Sequence, residues 1–276
     1  MSNIANIKKR KSVRSFKKEE FSNNLIQEIT AKIDSLGNGY FGNEIKFYLI
    51  DKKRFKQEIK FETYGLFKNA RYYLVSVIDE MTCNDDVFLD LGYMFERLIL
   101  FITGLGLGSC WVSRTFNSGQ FSNVLELDEN EFIPAICPIG FRAKSISIRE
   151  KIAKKIANSD NRKPWHRIFF EDDLSHPLIR EIVGQYSVPL EMVRIAPSAR
   201  NSQPWKIIKS ENTYHFFIDD ITDENPYDLR LIDIGIAMLH FEYSIRELNL
   251  AGRWIFQKPN LNLKGNLKYM ISWESE

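Results

Sequence analysis

The sequence is poor in most of what would mark a specialised class. It has three cysteines in 276 residues, Cys83, Cys110 and Cys137. Three scattered thiols make neither a disulfide framework nor a zinc cluster. Their apolar surroundings read as buried free thiols in a reducing compartment. Histidine is also scarce: His166, His176, His215 and His240 lie far apart and read as packing or surface groups. No Ser-His-Asp, Cys-His or metal-spaced cluster can be assembled from the sequence. An excess of one charge is missing too, since 38 Lys and Arg face 36 Asp and Glu for a net +2. So even a balance gives no general reason to expect a nucleic-acid partner. The longest uncharged stretch, Leu98 to Ser113, has 16 residues, short of the ~20 that cross a bilayer. Met1 to Phe16 lacks the apolar run of a secretory signal. The expectation is a cytoplasmic protein without a membrane segment.

What is present is ordinary globular material, 44% hydrophobic and 27% charged. A chain of this length can bury one large core or two small ones. Apolar periodicity predicts helices over 23–36, 90–107, 148–157, 188–195 and 233–248. Aromatic and β-branched runs predict strands over 45–50, 72–78, 132–141, 206–209, 214–218, 254–257 and 269–273. Pro134 and Pro138 mark the strand at 132–141 as an edge or a bulge. Strands and helices mix without regular βαβ alternation, which favours an α+β fold.

An internal repeat organises the chain. Asp90-Leu-Gly-Tyr-Met-Phe and Asp233-Ile-Gly-Ile-Ala-Met align at an offset of 143, and the same offset pairs Leu105 with Leu248, Leu107 with Leu250 and Trp111 with Trp254. Each copy starts Asp-x-Gly, continues as an apolar helix, and ends in a turn and a Trp-led strand. Duplication explains this better than chance composition.

Three segments could carry chemistry. Gly104-Leu-Gly-Leu-Gly108 has the wrong spacing for a dinucleotide fingerprint and closes a helix where the fingerprint should open one. It reads as a helix C-cap. Lys8 to Phe16 is the densest basic run, open to reading as a solvated tail, a nucleic-acid arm or a phosphate clamp. Arg10, Ser12 and Arg14 alternate, so an extended backbone would point all three one way. Guanidinium forks and a hydroxyl suit a phosphate monoester. Pro197-Ser-Ala-Arg-Asn-Ser-Gln-Pro-Trp205 follows a helix and opens a strand, with Ser198, Asn201 and Gln203 crowded between two prolines.

These segments together resemble the FMN-dependent nitroreductases. The family's Arg-x-Ser-x-Arg-like opening is matched by Arg10, Ser12 and Arg14. Its Pro-Ser-Ser-x-Asn-x-Gln-Pro-Trp loop is matched by Pro197 to Trp205, with Ala199 in place of the second serine. Its helix ending in Gly-Leu-Gly-x-x-Trp is matched at Gly106 to Trp111, with Pro138-Ile-Gly-Phe141 and Arg162-Lys-Pro164 following in order.

The departure from the family is informative. Ordinary members carry the Arg segment and the Ser-Asn-Gln loop in one short chain, and two subunits build each flavin site. Here the two segments fall on opposite halves, and neither half repeats the other's segment. The chain looks like a fused dimer that kept one site, similar to the duplicated TM nitroreductase branch, whose Asp-x-Gly helix is echoed at 233–242. The resemblance implies a nitroreductase-like α+β fold with halves at 1–172 and 173–276. It implies that Arg10, Lys11, Ser12 and Arg14 hold the FMN phosphate and ribityl chain, with Arg162 as a second phosphate ligand. Pro197, Ser198, Ala199, Asn201 and Gln203 would meet the flavin from the other half. A backbone N–H near Arg114 or Thr115 would face its N5. The implied activity is hydride transfer from NADH or NADPH through FMN to an aromatic nitro, quinone or similar acceptor. A monomer acting as a pseudo-dimer would do this, with neither nucleic acid nor membrane as partner. The alternative is an FMN-binding protein or ligand sensor without turnover.

Overall fold

The structure is a computed structural model that describes residues 2–54, 67–113, 115–144, 161–219, 228–263 and 265–276. The helix expected over 148–157 and the residue Arg114 lie outside the described residues.

Two five-stranded sheets repeat one wiring. The first takes β1 (Lys46–Asp51), β2 (Tyr72–Asp79), β5 (Ile136–Gly140) and β3 (Gly108–Ser109) in that spatial order, with β4 (Glu131–Phe132) beside β2. The second takes β6 (Phe169–Glu171), β7 (Trp205–Ser210), β8 (Thr213–Asp219), β10 (Leu267–Ser275) and β9 (Gly252–Ile255). Removing β4 and β6 leaves the same antiparallel path in both. The extra strand β6 lies parallel to β7, so a division at 172/173 falls just after a strand that bonds to the second sheet.

Two long helices join the sheets. They are α3 (Asp85–Gly104) and α6 (Arg230–Glu247), and one continuous apolar core holds both helices and the inner faces of both sheets. Their crossing needs glycine: a Cβ on Gly92 would lie 2.0 Å from the Ile232 carbonyl oxygen, and one on Gly235 would lie 2.0 Å from the Leu89 carbonyl oxygen. Residues 89 and 92 map onto 232 and 235 at the offset of the sequence repeat, so the crossing obeys an internal two-fold. The helix ends match too. Gly106 N–H donates to Thr103 O and Leu107 N–H to Ile102 O; Asn249 N–H donates to Arg246 O and Leu250 N–H to Ile245 O. Gly106 (φ 80°) and Asn249 (φ 55°) take the left-handed position that ends such helices. Gly104 to Gly108 is therefore the cap that the sequence suggested. The fold is α+β, with two like halves fused as a pseudo-dimer.

The other α-helices among the described residues are α1 (Asn3–Lys9), α2 (Asn23–Asp34), α4 (Ser118–Leu125) and α5 (Ser187–Arg194). Some expected boundaries move. Helix α3 starts at Asp85, before the expected residue 90, because the Asn84 side chain accepts from Val87 N–H at 3.1 Å and Asp85 and Asp86 occupy the first turn. The strand expected over 132–141 is two pieces, with Pro134 in the break between β4 and β5. Trp254 lies within β9, whereas Trp111 follows the two-residue β3.

Candidate functional site

The N-terminal basic run divides at Arg10. Before it, Ser2 caps α1 by accepting from Ala5 N–H at 3.0 Å. Ile7 packs among Leu100, Met192 and Leu239, so α1 spans α3, α5 and α6 and thus touches both halves. After it, the chain is extended and stitched to the first sheet. Val13 N–H donates to Ser109 O (2.8 Å), Lys68 N–H to Arg14 O (2.8 Å) and Phe16 N–H to Lys68 O (3.0 Å). The segment is therefore structured, which removes the solvated tail as a description of Arg10 to Phe16. Val13 is buried, Ser12 and Arg14 are half-buried, and Lys11 is exposed.

The Arg10 side chain is only 6% exposed, with Nε 3.7 Å from Oε1 of the fully buried Glu96. That is ion-pair range but too long for a hydrogen bond. Arg10 Nε and Arg14 Nη1 are buried donors without a hydrogen-bond acceptor. Buried donors are normally satisfied. Two guanidinium nitrogens left over on one extended strand fit an anion with several acceptor oxygens, such as a phosphate monoester.

The loop at 197–203 hangs from the second central helix. Ala199 N–H donates to both carboxylate oxygens of Asp233, at 3.0 and 3.1 Å. Burial pushes the Asp233 carboxyl up to about 8, against the opposing pull of that hydrogen bond. Gln203 N–H closes the loop onto Ser198 Oγ at 2.9 Å. Arg200, Asn201 and Gln203 all have positive φ, at 52°, 58° and 45°. Three such non-glycine residues in one short loop store strain, on the order of 1–3 kcal/mol each, of the kind that clusters at functional sites.

Around this loop Arg162, Asn201 and Gln203 form one network. Arg162 Nη1 bonds Asn201 Oδ1, and Arg162 Nη2 donates to Ile195 O at 3.0 Å. Lys163 N–H donates to Gln203 Oε1 at 2.7 Å, and Gln203 Nε2 donates to Asn201 O at 2.9 Å. These amides therefore shape the loop from within, leaving half-buried Pro197 and Ser198 and exposed Ala199 on its outer side. Thr115 is exposed beyond Trp111.

A buried chain links Arg10 to the helix that precedes this loop. Glu96 Oε1 lies 3.0 Å from His240 Nε2, Glu96 Oε2 accepts from Trp111 Nε1 at 2.7 Å, and His240 Nδ1 is 3.1 Å from Met192 O. Met192 belongs to α5, the helix that delivers the chain to Pro197. Sequence reasoning missed both Glu96 and His240, reading the histidine as a packing or surface group. The available signal was an adjacent charged pair, Glu96-Arg97, inside a long apolar helical run.

The counterpart of the loop in the first half is 38–43, which precedes β1 as 198–203 precedes β7. It hangs from Asp90: Phe41 N–H donates to that carboxylate at 3.0 and 3.1 Å, and Asn43 Nδ2 donates at 2.9 Å. The approach is close enough that a Cβ on Gly39 would fall 2.0 Å from the Asp90 carboxyl carbon. Tyr40 precedes the aspartate-bonded N–H here, where the second half has Ser198, and its hydroxyl donates to Trp254 O at 3.0 Å.

Fold and site geometry together define a nitroreductase-like protein. The chain belongs to the family described as "Putative TM nitroreductase", whose model matches residues 3–245. Among solved structures it is similar to a "putative nitroreductase" of Thermotoga maritima, at 18% identity and TM-score 0.62, over 100% of this chain and 94% of that one. An FMN-dependent nitroreductase of Clostridium difficile matches 52% of this chain and 90% of its own, at 22% identity and TM-score 0.44. A nitroreductase with bound FMN from Desulfitobacterium hafniense matches 53% of this chain and 92% of its own, at 20% identity and TM-score 0.44. No curated protein matches. No helix among the described residues is long and apolar enough to cross a membrane.

Proposed function

We propose that the chain is an FMN-dependent NAD(P)H oxidoreductase with one flavin site. The site would lie between the arginine strand of the first half and the 197–203 loop of the second. The observation that carries this reading is the pair of buried guanidinium nitrogens without a hydrogen-bond acceptor, Arg10 Nε and Arg14 Nη1. They sit on an extended strand with Ser12 between them. Arg10, Ser12 and Arg14 would take the phosphate and the adjoining ribityl hydroxyls, with Lys11 contributing charge from the surface. Pro197, Ser198 and Ala199 would face the ring system, and Asn201, Gln203 and Arg162 would hold the loop in its strained shape. When bound, the flavin supplies the redox chemistry, accepting hydride from NADH or NADPH and passing electrons to a nitro-aromatic, a quinone or a similar acceptor. The chain's own work is to bind and orient, which accords with a site built from amides, hydroxyls and guanidinium groups.

The test is spectroscopic. Purified or reconstituted protein should show flavin absorbance, and heat should release FMN in preference to FAD. Under anaerobic conditions NADH or NADPH should bleach that absorbance. FAD in the supernatant, or no flavin after reconstitution, would refute the cofactor assignment. Bound FMN that neither nucleotide bleaches would instead support a flavin-binding protein without turnover.

A further inference from the structure

We infer that Glu96 and His240 are positioning residues that keep the charge of Arg10 available for an incoming phosphate, by sharing one proton between them. This rests on the flavin reading above and adds to it a role for two buried residues on the central helices.

The Met192 carbonyl can only accept, so His240 Nδ1, 3.1 Å away, carries a hydrogen. His240 Nε2 lies 3.0 Å from Glu96 Oε1. A bare nitrogen and a bare carboxylate oxygen would repel at that distance, so a second proton lies between them. Whether drawn as imidazolium with carboxylate or as imidazole with carboxylic acid, the pair is neutral as a unit. Trp111 Nε1 satisfies the other carboxylate oxygen without adding charge. Cys137, packed nearby on β5, is kept a neutral thiol by burial. Arg10 is then the one uncompensated charge of this cluster, in a setting where both its own side chain and that of Glu96 are at most 6% exposed.

A lone Glu96 carboxylate would cancel Arg10 and compete with a phosphate for it. With one proton shared between Glu96 and His240, the cluster stays at +1 and Arg10 Nε lacks a hydrogen-bond acceptor. The pair also spans the seam, since Glu96 lies on α3, His240 on α6 and Met192 on α5. Arg10 is therefore coupled, through Glu96, to the half that carries the 197–203 loop.

Three variants test this by fluorescence titration of apoprotein with FMN. Glu96→Gln keeps every hydrogen bond, because the amide can accept from Trp111 and donate to His240 Nε2. It also leaves the pair neutral, so affinity should stay within about threefold of the parent. His240→Leu with Glu96 intact should weaken FMN by roughly tenfold or more, the loss expected when a charge-assisted contact is cancelled. The double variant should recover most of that loss. Recovery is the decisive readout, since a merely structural role would make the double variant worse than either single one. A tenfold loss in Glu96→Gln alone would overturn the inference, because it would show the carboxylate's charge to be needed. That result is open even if His240→Leu fails to fold. A parent chain that takes up no FMN would overturn the flavin reading, and the inference with it. A parent that binds FMN while the variants show the wrong pattern would overturn the inference alone.

Discussion

Arg10→Ala and Arg14→Ala should each weaken FMN binding by roughly ten- to a hundredfold, and the double variant by more. Each loses a charge-assisted hydrogen bond worth about 1.5–3 kcal/mol. Neither should unfold the chain. The backbone of this segment is held by bonds that an alanine keeps, Val13 N–H to Ser109 O and Lys68 N–H to Arg14 O. Removing Arg10 also leaves Glu96 bonded to His240 and Trp111, so its carboxyl is not stranded. Lys11→Ala is the internal control: an exposed lysine contributes long-range attraction, and its loss should cost far less. Titration of apoprotein fluorescence gives the affinities, and circular dichroism checks the fold. Unchanged affinity in both arginine variants would leave the buried guanidinium groups a structural feature only.

The second large effect concerns stability. Gly92→Ala and Gly235→Ala should each destabilise the protein by about 1–3 kcal/mol or more, because the new methyl group enters a filled crossing. At 2.0 Å from a helix carbonyl oxygen, neither methyl can be accommodated by turning a side chain; the helices must separate. The two substitutions probe related positions, so similar losses are expected from both. Gly119 makes a useful contrast. It lies in α4, and a Cβ there would meet only Asn117 Oδ1 at 3.5 Å. Gly119→Ala should be neutral, or stabilise by about 0.5–1 kcal/mol, through helix propensity. Urea midpoints measure all three. A tolerated alanine at both crossing glycines would mean that α3 and α6 do not approach as described.

The repeat was the most legible feature of the sequence, because Asp-x-Gly records two geometric demands at once. The aspartate holds the loop that precedes the first strand of its half, and the glycine permits the helix crossing. The loop at 197–203 was legible as a polar turn between prolines, and the extended run from Arg10 to Arg14 was legible from its alternation. Other parts left no local trace. The seven residues of α1 are too few to show a period, and its packing is against distant helices. Strands β3 and β6 have two and three residues and exist because neighbouring strands offer free edges. The likeness between loops 38–43 and 198–203 is carried by backbone N–H groups on an aspartate, which any residue but proline could supply. Glu96 and His240 are 144 residues apart and meet only because the central helices cross.

One polypeptide is expected to contain both parts of one flavin site and only one such set. The first half has Tyr40 bonded to Trp254 O where the second has Ser198 and the strained amide loop. The second half has no counterpart of Arg10-x-Ser-x-Arg14, Arg180 being the one Lys or Arg between Glu171 and Val193. Light scattering on flavin-loaded protein, read together with the flavin-to-chain ratio, addresses this most directly. The expected result is a particle of one chain carrying one tightly bound FMN. Two FMN per chain would contradict the lost-site account, and a ratio reached only in a dimer would show that the halves of the site come from different chains.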